Sequence, residues 1–319
     1  MNFKKSILFL LGIVAFVCTS CTTNKEKEIT AKDYRNFALW EEWFLYDEDG
    51  SRLFVREFGD GDTVVILHGG WGAEHSYLIE PFLAFANKYH FVFYDQRGSL
   101  RSPCQDSLIS LEKHVEDLEY LRNELNLEKL LIIGHSMGTF LGMNYAKKHP
   151  NHVQGLVLIA SLPAKGTMKD IMEENVLQRW ERQEVLDTLK TYGLRVADWS
   201  TYSSKQSSML HRITFAATNL HHVKNWRKLQ SAFYYREKAG MMAAISTPEE
   251  WNFTEILNEL HIPITVIQGD DDYLPIDLNK KWISKVSNAE LKIIENAGHN
   301  CWIDNPEQFH VFLSEALKK

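Results

Sequence analysis

The 319-residue chain is 45% hydrophobic and 24% charged, an ordinary globular composition, long enough for one large α/β core with an insertion. Its formal charge of −7 leaves no basic footprint of the kind a nucleic-acid-binding protein carries. Four cysteines in this length are too few for a disulfide scaffold.

Residues 1–21 read as targeting rather than fold. Lys4 and Lys5 precede an apolar run from Ile7 to Val17, too short to span a bilayer and suited to a signal h-region. Small Thr19 and Ser20 lead to Cys21, and the stretch resembles a bacterial lipoprotein signal, whose chemistry cleaves before Cys21 and acylates it. Cys18 departs from that pattern, which usually has leucine there, and a cleaved secretory signal is the alternative. Residues 22–38 then form a polar tether. Only Cys104 and Cys301 remain in the body, and that count does not demand a bridge.

Trp43 to Tyr46 and Leu53 to Arg56 flank Asp49-Gly50, the pattern of an antiparallel hairpin. Thr63 to Leu67 reads as the first fully buried strand and runs into His68-Gly69-Gly70-Trp71-Gly72. His75 to Lys88 reads as a helix and Phe91 to Tyr94 as a strand that ends in Asp95-Gln96-Arg97-Gly98-Ser99, followed by Arg101-Ser102. This Asp and the two Arg brace the loops by ion pairing more readily than they touch a substrate. Leu111, His114, Val115, Leu118 and Leu121 recur at helical spacing, with His114 on the packing face.

Leu130 to Ile133 is an apolar run of the kind seen in a parallel strand covered by helices on both faces, and Phe140 to His149 reads as the next helix. Gly155 to Ala160 is another strand. From residue 162 to 260 the pattern becomes helical, rich in Glu, Lys, Trp and Tyr, and predicts a cap inserted over the sheet edge. The core then spans residues 39–161 and 261–319, with strands at Ile264 to Ile267 and Leu291 to Ile294 and a closing helix from Pro306 to Leu317.

Chemistry concentrates at Gly134-His135-Ser136-Met137-Gly138, a serine held between strand and helix with glycine two residues away on either side. Such a turn strains the serine backbone, projects its hydroxyl at the carboxyl edge of the sheet and sets it at a helix amino terminus. Glycines directly after a strand let a backbone N–H face a ligand, so Gly70 pairs with Met137 as the expected oxyanion donors. His68 reads as a buried brace of that loop. The Ile264 strand delivers Asp270, Asp271 and Asp272, and the last strand delivers His299. All of these groups sit at carboxyl ends of parallel strands, where they can converge.

From about residue 40 to the end, this order of serine, acid and histidine resembles the α/β-hydrolase family, a mostly parallel sheet covered by helices. The resemblance implies a Ser136, Asp272, His299 triad, because the family's acid usually stands three residues after the glycine that ends its strand. It implies an acyl-enzyme route with no metal and no cofactor. A serine in this place also disfavours dehalogenase and epoxide-hydrolase chemistry, which uses aspartate on this fold. Within the family, His68-Gly69-Gly70 with Asp95-Gln96-Arg97-Gly98 and Arg101-Ser102 looks like the prolyl aminopeptidase branch. That branch usually has proline where Trp71 stands, and glycine and tryptophan where His135 and Met137 stand. The G-H-S-M-G form is common among esterases and lipases.

The resulting expectation is an exported, lipid-anchored serine hydrolase that removes an amino-terminal residue from short peptides. Trp71 and Glu181 are the expected substrate-binding residues; Glu181, directly after Trp180, resembles a tryptophan–glutamate pair in that branch's cap. Glu173, Glu174, Glu184 and Glu237 are the other cap acids available for a substrate ammonium. A carboxylesterase shares every catalytic residue and lacks only the anionic site. A non-catalytic receptor on the same fold is the remaining alternative.

Overall fold

The computed structural model describes residues 30, 32–47, 49–169, 173–229 and 234–319. Cys21 and the expected signal, along with residues 22–29 and 31 of the expected tether, lie outside these residues; the tether's later part instead forms the 3-10 helices Asp33–Arg35 and Phe37–Leu39, with Tyr34 buried against the core. Among the described residues, no helix is long and apolar enough to cross a membrane.

The chain opens with β1 (Glu41–Tyr46) and β2 (Arg52–Phe58), paired antiparallel from Glu41 opposite Glu57 to Tyr46 opposite Arg52. Next come β3 (Asp62–Leu67), β4 (Tyr89–Tyr94), α1 (Leu111–Glu124), β5 (Leu130–His135), α2 (Met137–Lys148) and β6 (Val153–Ile159). After the insertion, β9 (Ile264–Gly269), α8 (Ile276–Ile283), β10 (Ala289–Ile294), the short α9 (Cys301–Asp304) and α10 (Pro306–Ala316) complete the core. The insertion holds β7 (Lys165–Thr167), α3 (Glu173–Trp180), α4 (Gln183–Thr191), α5 (Ser204–Asn219), α6 (Glu237–Ile245), β8 (Glu250–Asn252) and α7 (Thr254–Glu259).

The large sheet runs β1-β2-β4-β3-β5-β6-β9-β10. Only the β1–β2 and β2–β4 pairings are antiparallel; β4–β3, β3–β5, β5–β6, β6–β9 and β9–β10 are parallel. The apolar runs of the central strands follow from burial on both faces. Val65, Leu67, Ile132, Leu156 and Leu158 pack with α1, α2 and Trp282 of α8, whereas Val64, Ile66, Ile133, Val157 and Ile159 pack with Phe82 and with Phe309 and Leu313 of α10. Alternate residues of one strand thus serve two separate apolar layers.

Two local outcomes differ from the sequence pattern. The segment expected as a helix from His75 to Lys88 forms two 3-10 helices, Ser76–Leu78 and Glu80–Phe85. Its first donors are claimed by side chains, His75 N by Asp95 at 3.1 Å and Ser76 N by Glu74 at 2.8 Å, and Pro81 removes a donor and disfavours α geometry at the residue before it. The insertion also contains a two-stranded antiparallel sheet, β7 with β8, where the sequence shows no strong β-run. It is only three residues per strand.

The helices of the insertion share an apolar cluster of their own, built on Val185, Leu189, Ile213, Ala217, Val223 and Trp226. The α5 helix starts with a reciprocal capping box between Ser203 and Gln206. Contacts at three loops seat the insertion on the sheet edge. Arg236 N donates to Gly72 O at 2.8 Å and Asn300 N to Asn219 O at 2.9 Å; Arg179 reaches Asp271 Oδ1 at 3.0 Å. These are the loops that follow β3, β10 and β9.

Candidate active site

The site begins with the turn at Ser136. Its backbone adopts φ 52° and ψ −122°, a region that a non-glycine residue occupies only under strain. The turn is held open by contacts at both ends: Ser136 N donates to Ile159 O at 3.0 Å, and Thr139 Oγ1 donates to Ser136 O at 2.6 Å. A side chain at Gly138 would place Cβ 2.2 Å from Leu67 O, and one at Gly134 would meet the Gly138 backbone at 2.6 Å. The motif's two glycines are therefore required by the passage of α2 across β3 and β5. Because α2 begins at Met137, the Met137 N–H is among the first-turn donors that have no acceptor within the helix.

The loop after β3 packs directly on this turn. A Cβ on Gly69 would lie 2.8 Å from the Ser136 Cβ, which brings Gly70 beside the serine. Gly70 itself has φ +67°, and its carbonyl accepts from Ala73 N at 3.0 Å. His68 braces the loop from beneath, as its sequence setting suggested. Its Nε2 accepts from Gln96 N at 3.1 Å, which leaves Nδ1 as the donor to Gly69 O at 3.0 Å. Burial lowers its pKa, keeping it neutral.

A second histidine ties the elbow to the last loop. Gly69 N donates to the Tyr77 hydroxyl at 2.8 Å, Tyr77 donates to His135 Nδ1 at 2.7 Å, and His135 Nε2 then faces His299 O at 3.4 Å. Burial, with His299 nearby, holds the His135 pKa well below its ordinary value, so the ring is neutral and this tautomer satisfies every member of the chain. Trp302 closes the wall edge-on, with its centroid 5.0 Å from His135.

Of the three consecutive acids, Asp272 meets the histidine. His299 Nδ1 lies 2.9 Å from Asp272 Oδ1, and the two side chains are 3% and 0% exposed, so water competes little for this contact. Leu274 N donates to the same oxygen at 3.0 Å. Asp270 turns the other way and accepts from Ala297 N at 3.1 Å. Asp271 faces the insertion, where Arg179, Arg182 and His221 approach it at 3.0, 3.3 and 2.9 Å. The other face of His299 is covered by Tyr273, whose hydroxyl is 3.5 Å from Nε2 and lies close enough to Ser136 for the two side chains to interact. Tyr273 is therefore the side chain that neighbours both Ser136 and His299.

The Asp95-Gln96-Arg97-Gly98 segment is a brace. Asp95 Oδ1 pairs with His75 Nδ1 at 2.6 Å and Oδ2 with Arg101 at 3.2 Å. Burial alone would raise the Asp95 pKa, but its hydrogen bond and charge interaction with His75 hold it well below the carboxylate range. Arg97 has 0% side-chain exposure and forks onto Asp117, Asp47 and Asp49. Trp71 is buried with its ring stacked on His114 at 4.9 Å and 6°, and it belongs to the core layer. The Glu181 side chain is exposed at the α3–α4 junction; Arg179 and Arg182, on either side of it, are the residues that reach the acid loop. Cys104 and Cys301 are both free.

Two cavities flank the site. One of about 830 Å³ is lined by Tyr77, His211, Arg212, Phe215, Lys228 and Trp302, among others. The other, of about 580 Å³, lies between Arg179, Arg182 and the Asp271 to Pro275 loop. Ser136 lines neither, and both carry cationic side chains. Sequence reasoning did not single out Tyr77, Tyr273, Arg179 or Arg182. For Tyr273 the available signal was adjacency to the acid; for the arginines it was their position either side of the Trp180-Glu181 pair.

The model of the family described as alpha/beta hydrolase fold matches residues 62–306. The chain belongs to the alpha/beta hydrolase family. Among curated proteins, this hydrolase is 26% identical to a proline iminopeptidase of Saccharolobus solfataricus, over 82% of this chain and 86% of that one. It is 28% identical to a non-heme chloroperoxidase of Kitasatospora aureofaciens, over 85% of this chain and 98% of the other. Among solved structures it resembles an esterase from Exiguobacterium antarcticum, with a TM-score of 0.66 at 18% identity, covering 88% of this hydrolase and 100% of the esterase.

Proposed function

We propose that this hydrolase works through Ser136 as nucleophile and acts on small carboxylic esters. The observation that carries the reading is the 2.9 Å contact between His299 Nδ1 and Asp272 Oδ1 beside the strained elbow that holds Ser136. His299 takes the Ser136 proton as the hydroxyl attacks the acyl carbon, and Asp272 fixes the tautomer and balances the imidazolium. The Gly70 and Met137 amides receive the oxyanion, and water releases the acyl group.

The choice of ester follows from charge. An aminopeptidase needs carboxylates facing the substrate ammonium. Among the candidate acids whose side chains are described, Glu181 and Glu237 are exposed, Glu184 turns to Lys224 N at 3.3 Å, and Asp271 is held by two arginines. The walls of the larger cavity contribute Arg212 and Lys228, and the one acid among its described residues, Glu80, is paired with Arg35 at 2.6 Å. A neutral or anionic acyl group fits these surroundings better than an ammonium does. Aminopeptidase action on short peptides is the second reading, favoured by the proline iminopeptidases among the relatives.

The test is a soluble fragment beginning after Cys21, assayed on short p-nitrophenyl esters and on amino-acid anilides with a free amine, with Ser136→Ala as the blank. Ser136-dependent turnover of esters alone is expected. Turnover of anilides that disappears when the amine is acetylated would replace this reading with the aminopeptidase one. We further propose attachment to a membrane through acylated Cys21, which predicts that Cys21→Ala moves the full-length protein from the membrane fraction to the soluble fraction.

A further inference from the structure

Tyr273 meets both reacting groups of the proposed triad. Its ring lies against the His299 imidazole with centroids 4.5 Å apart and planes inclined at 39°, its hydroxyl is 3.5 Å from Nε2, and Ser136 is near enough to interact with it. The backbone explains why the side chain points there. On one side, Asp272 Oδ1 is tied to His299 Nδ1 and Leu274 N. On the other, the Leu274 carbonyl accepts from Gln268 Nε2 at 2.9 Å, and the Gln268 side chain is itself held by Asn279 at 2.8 Å. The turn that presents the acid to His299 Nδ1 thus presents the phenol to Nε2.

A point beside both the serine oxygen and the histidine Nε2 is used twice in acyl transfer, by the leaving atom during acylation and by the attacking water during deacylation. In the first step it is where the leaving atom sits, since that atom is bonded to the carbon that Ser136 attacks and must receive a proton from Nε2. The phenol oxygen holds that position in the free protein.

Given Ser136 as nucleophile, we propose that Tyr273 is a further catalytic residue, whose hydroxyl is displaced sideways by the bound ester and donates a hydrogen bond to the departing oxygen. The Ser136 Oγ–carbon bond forms while His299 takes the serine proton. The bond from carbon to the departing oxygen then breaks, its electron pair stays on that oxygen, and the proton on Nε2 passes to it. Tyr273 keeps its own proton throughout. Burial, reinforced by the adjacent Asp272 charge, raises the phenol pKa, so Tyr273 serves as a donor and not as a base. Its contribution grows with the charge that accumulates on the leaving oxygen, which fits the site to esters of simple alcohols.

The test compares the protein with Tyr273→Phe on one acyl group esterified to a series of alcohols from p-nitrophenol to ethanol. The variant is expected to lose about 10- to 100-fold in kcat/KM on the ethyl ester and no more than about threefold on the p-nitrophenyl ester. An equal loss across the series, no loss, or a gain would overturn the proposal, the first pointing to mere support of His299 and the last to a blocking hydroxyl. Labelling of Ser136 by a fluorophosphonate, where fluoride leaves without need of a proton, is expected within about threefold of the unmodified protein. Slowing of that labelling to the extent seen with the ethyl ester would also overturn it. Activity that persists in Ser136→Ala would instead remove the underlying reading of the nucleophile.

Discussion

Arg97 and Asp117 form a buried ion pair, with Arg97 Nε 2.8 Å from Asp117 Oδ2 and side chains 0% and 1% exposed. The same guanidinium reaches Asp49 at 3.0 Å, Asp47 at 2.9 Å and the Leu108 carbonyl at 3.1 Å. It therefore joins the β1–β2 hairpin, α1 and the loop after β4. An arginine that serves a substrate and one that staples three segments predict different losses. Arg97→Met leaves Asp117 buried without its partner and is expected to cost about 3–5 kcal/mol of stability, while kcat/KM of the protein that remains folded changes less than about threefold. Denaturant unfolding and ester kinetics on the same preparation check this, and a KM defect at unchanged stability would return Arg97 to the substrate.

Two glycines one turn apart in α2 make a sharper comparison. A Cβ at Gly138 would stand 2.2 Å from the Leu67 carbonyl oxygen, whereas one at Gly142 would find its nearest neighbour, the Ile132 side chain, at 3.5 Å. Gly138→Ala has to push α2 away from β3, and it is expected to lose several kcal/mol or fail to accumulate as folded protein. Gly142→Ala gains helix propensity at an ordinary contact and is expected to stabilise by about 0.5–1 kcal/mol. Thermal unfolding midpoints that move in the same direction would contradict the close passage.

The same geometry explains what could be read in advance. Elements set by apolar runs and turn residues were legible: the continuous apolar run of β5 reports burial on both faces, and Asp49-Gly50 between two apolar runs marks the β1–β2 hairpin. The serine elbow was legible because only glycine tolerates those approaches. Elsewhere the deciding partner is remote in sequence. His75 to Lys88 carries a helical pattern, yet Asp95, from the loop after β4, takes its first donor. Helical spacing in α3 could not say whether Glu181 or its neighbours turn inward, because that depends on the position of Asp271. Nor does any local signal say that Tyr273 lies over the imidazole, since a loop residue has no period to report its direction.

Glu119 gives a pH dependence with a defined sign. It accepts from Arg122 Nε at 2.9 Å, from Tyr145 at 2.7 Å and from His152 at 3.2 Å. Burial would raise its pKa, but the hydrogen bonds from Arg122, Tyr145 and His152 outweigh this and lower it from 4.5 to about 2. A folded value below the unfolded one means that the ionised form stabilises the fold above the unfolded pKa. That contribution is lost as pH falls from about 4.5 toward about 2. With its side chain 19% exposed, the carboxylate is worth on the order of 2 kcal/mol at neutral pH. Glu119→Gln is expected to lower stability by that amount at pH 7 and by almost nothing near pH 2, measured by urea unfolding across the range. A constant difference at all pH values would assign the effect to packing.

The three adjacent acids provide the most direct check on the proposed mechanism, because they share composition and differ only in partner. Asp272→Asn keeps an acceptor for Leu274 N, yet it no longer holds the His299 Nδ1–H or balances an imidazolium. A loss of about 10³–10⁴ in kcat is expected with the fold intact. Asp271→Asn removes the charge facing Arg179, Arg182 and His221, which seats the insertion but touches neither Ser136 nor His299. Its kcat is expected to fall less than about tenfold, with a lower unfolding midpoint. Asp270→Asn retains an acceptor for Ala297 N and is expected to leave kcat within about threefold. Ester hydrolysis at saturating substrate by the three purified variants decides the matter. If Asp271→Asn were the inactive one, the acid would act from the insertion side, and the assignment built on the 2.9 Å contact would be wrong.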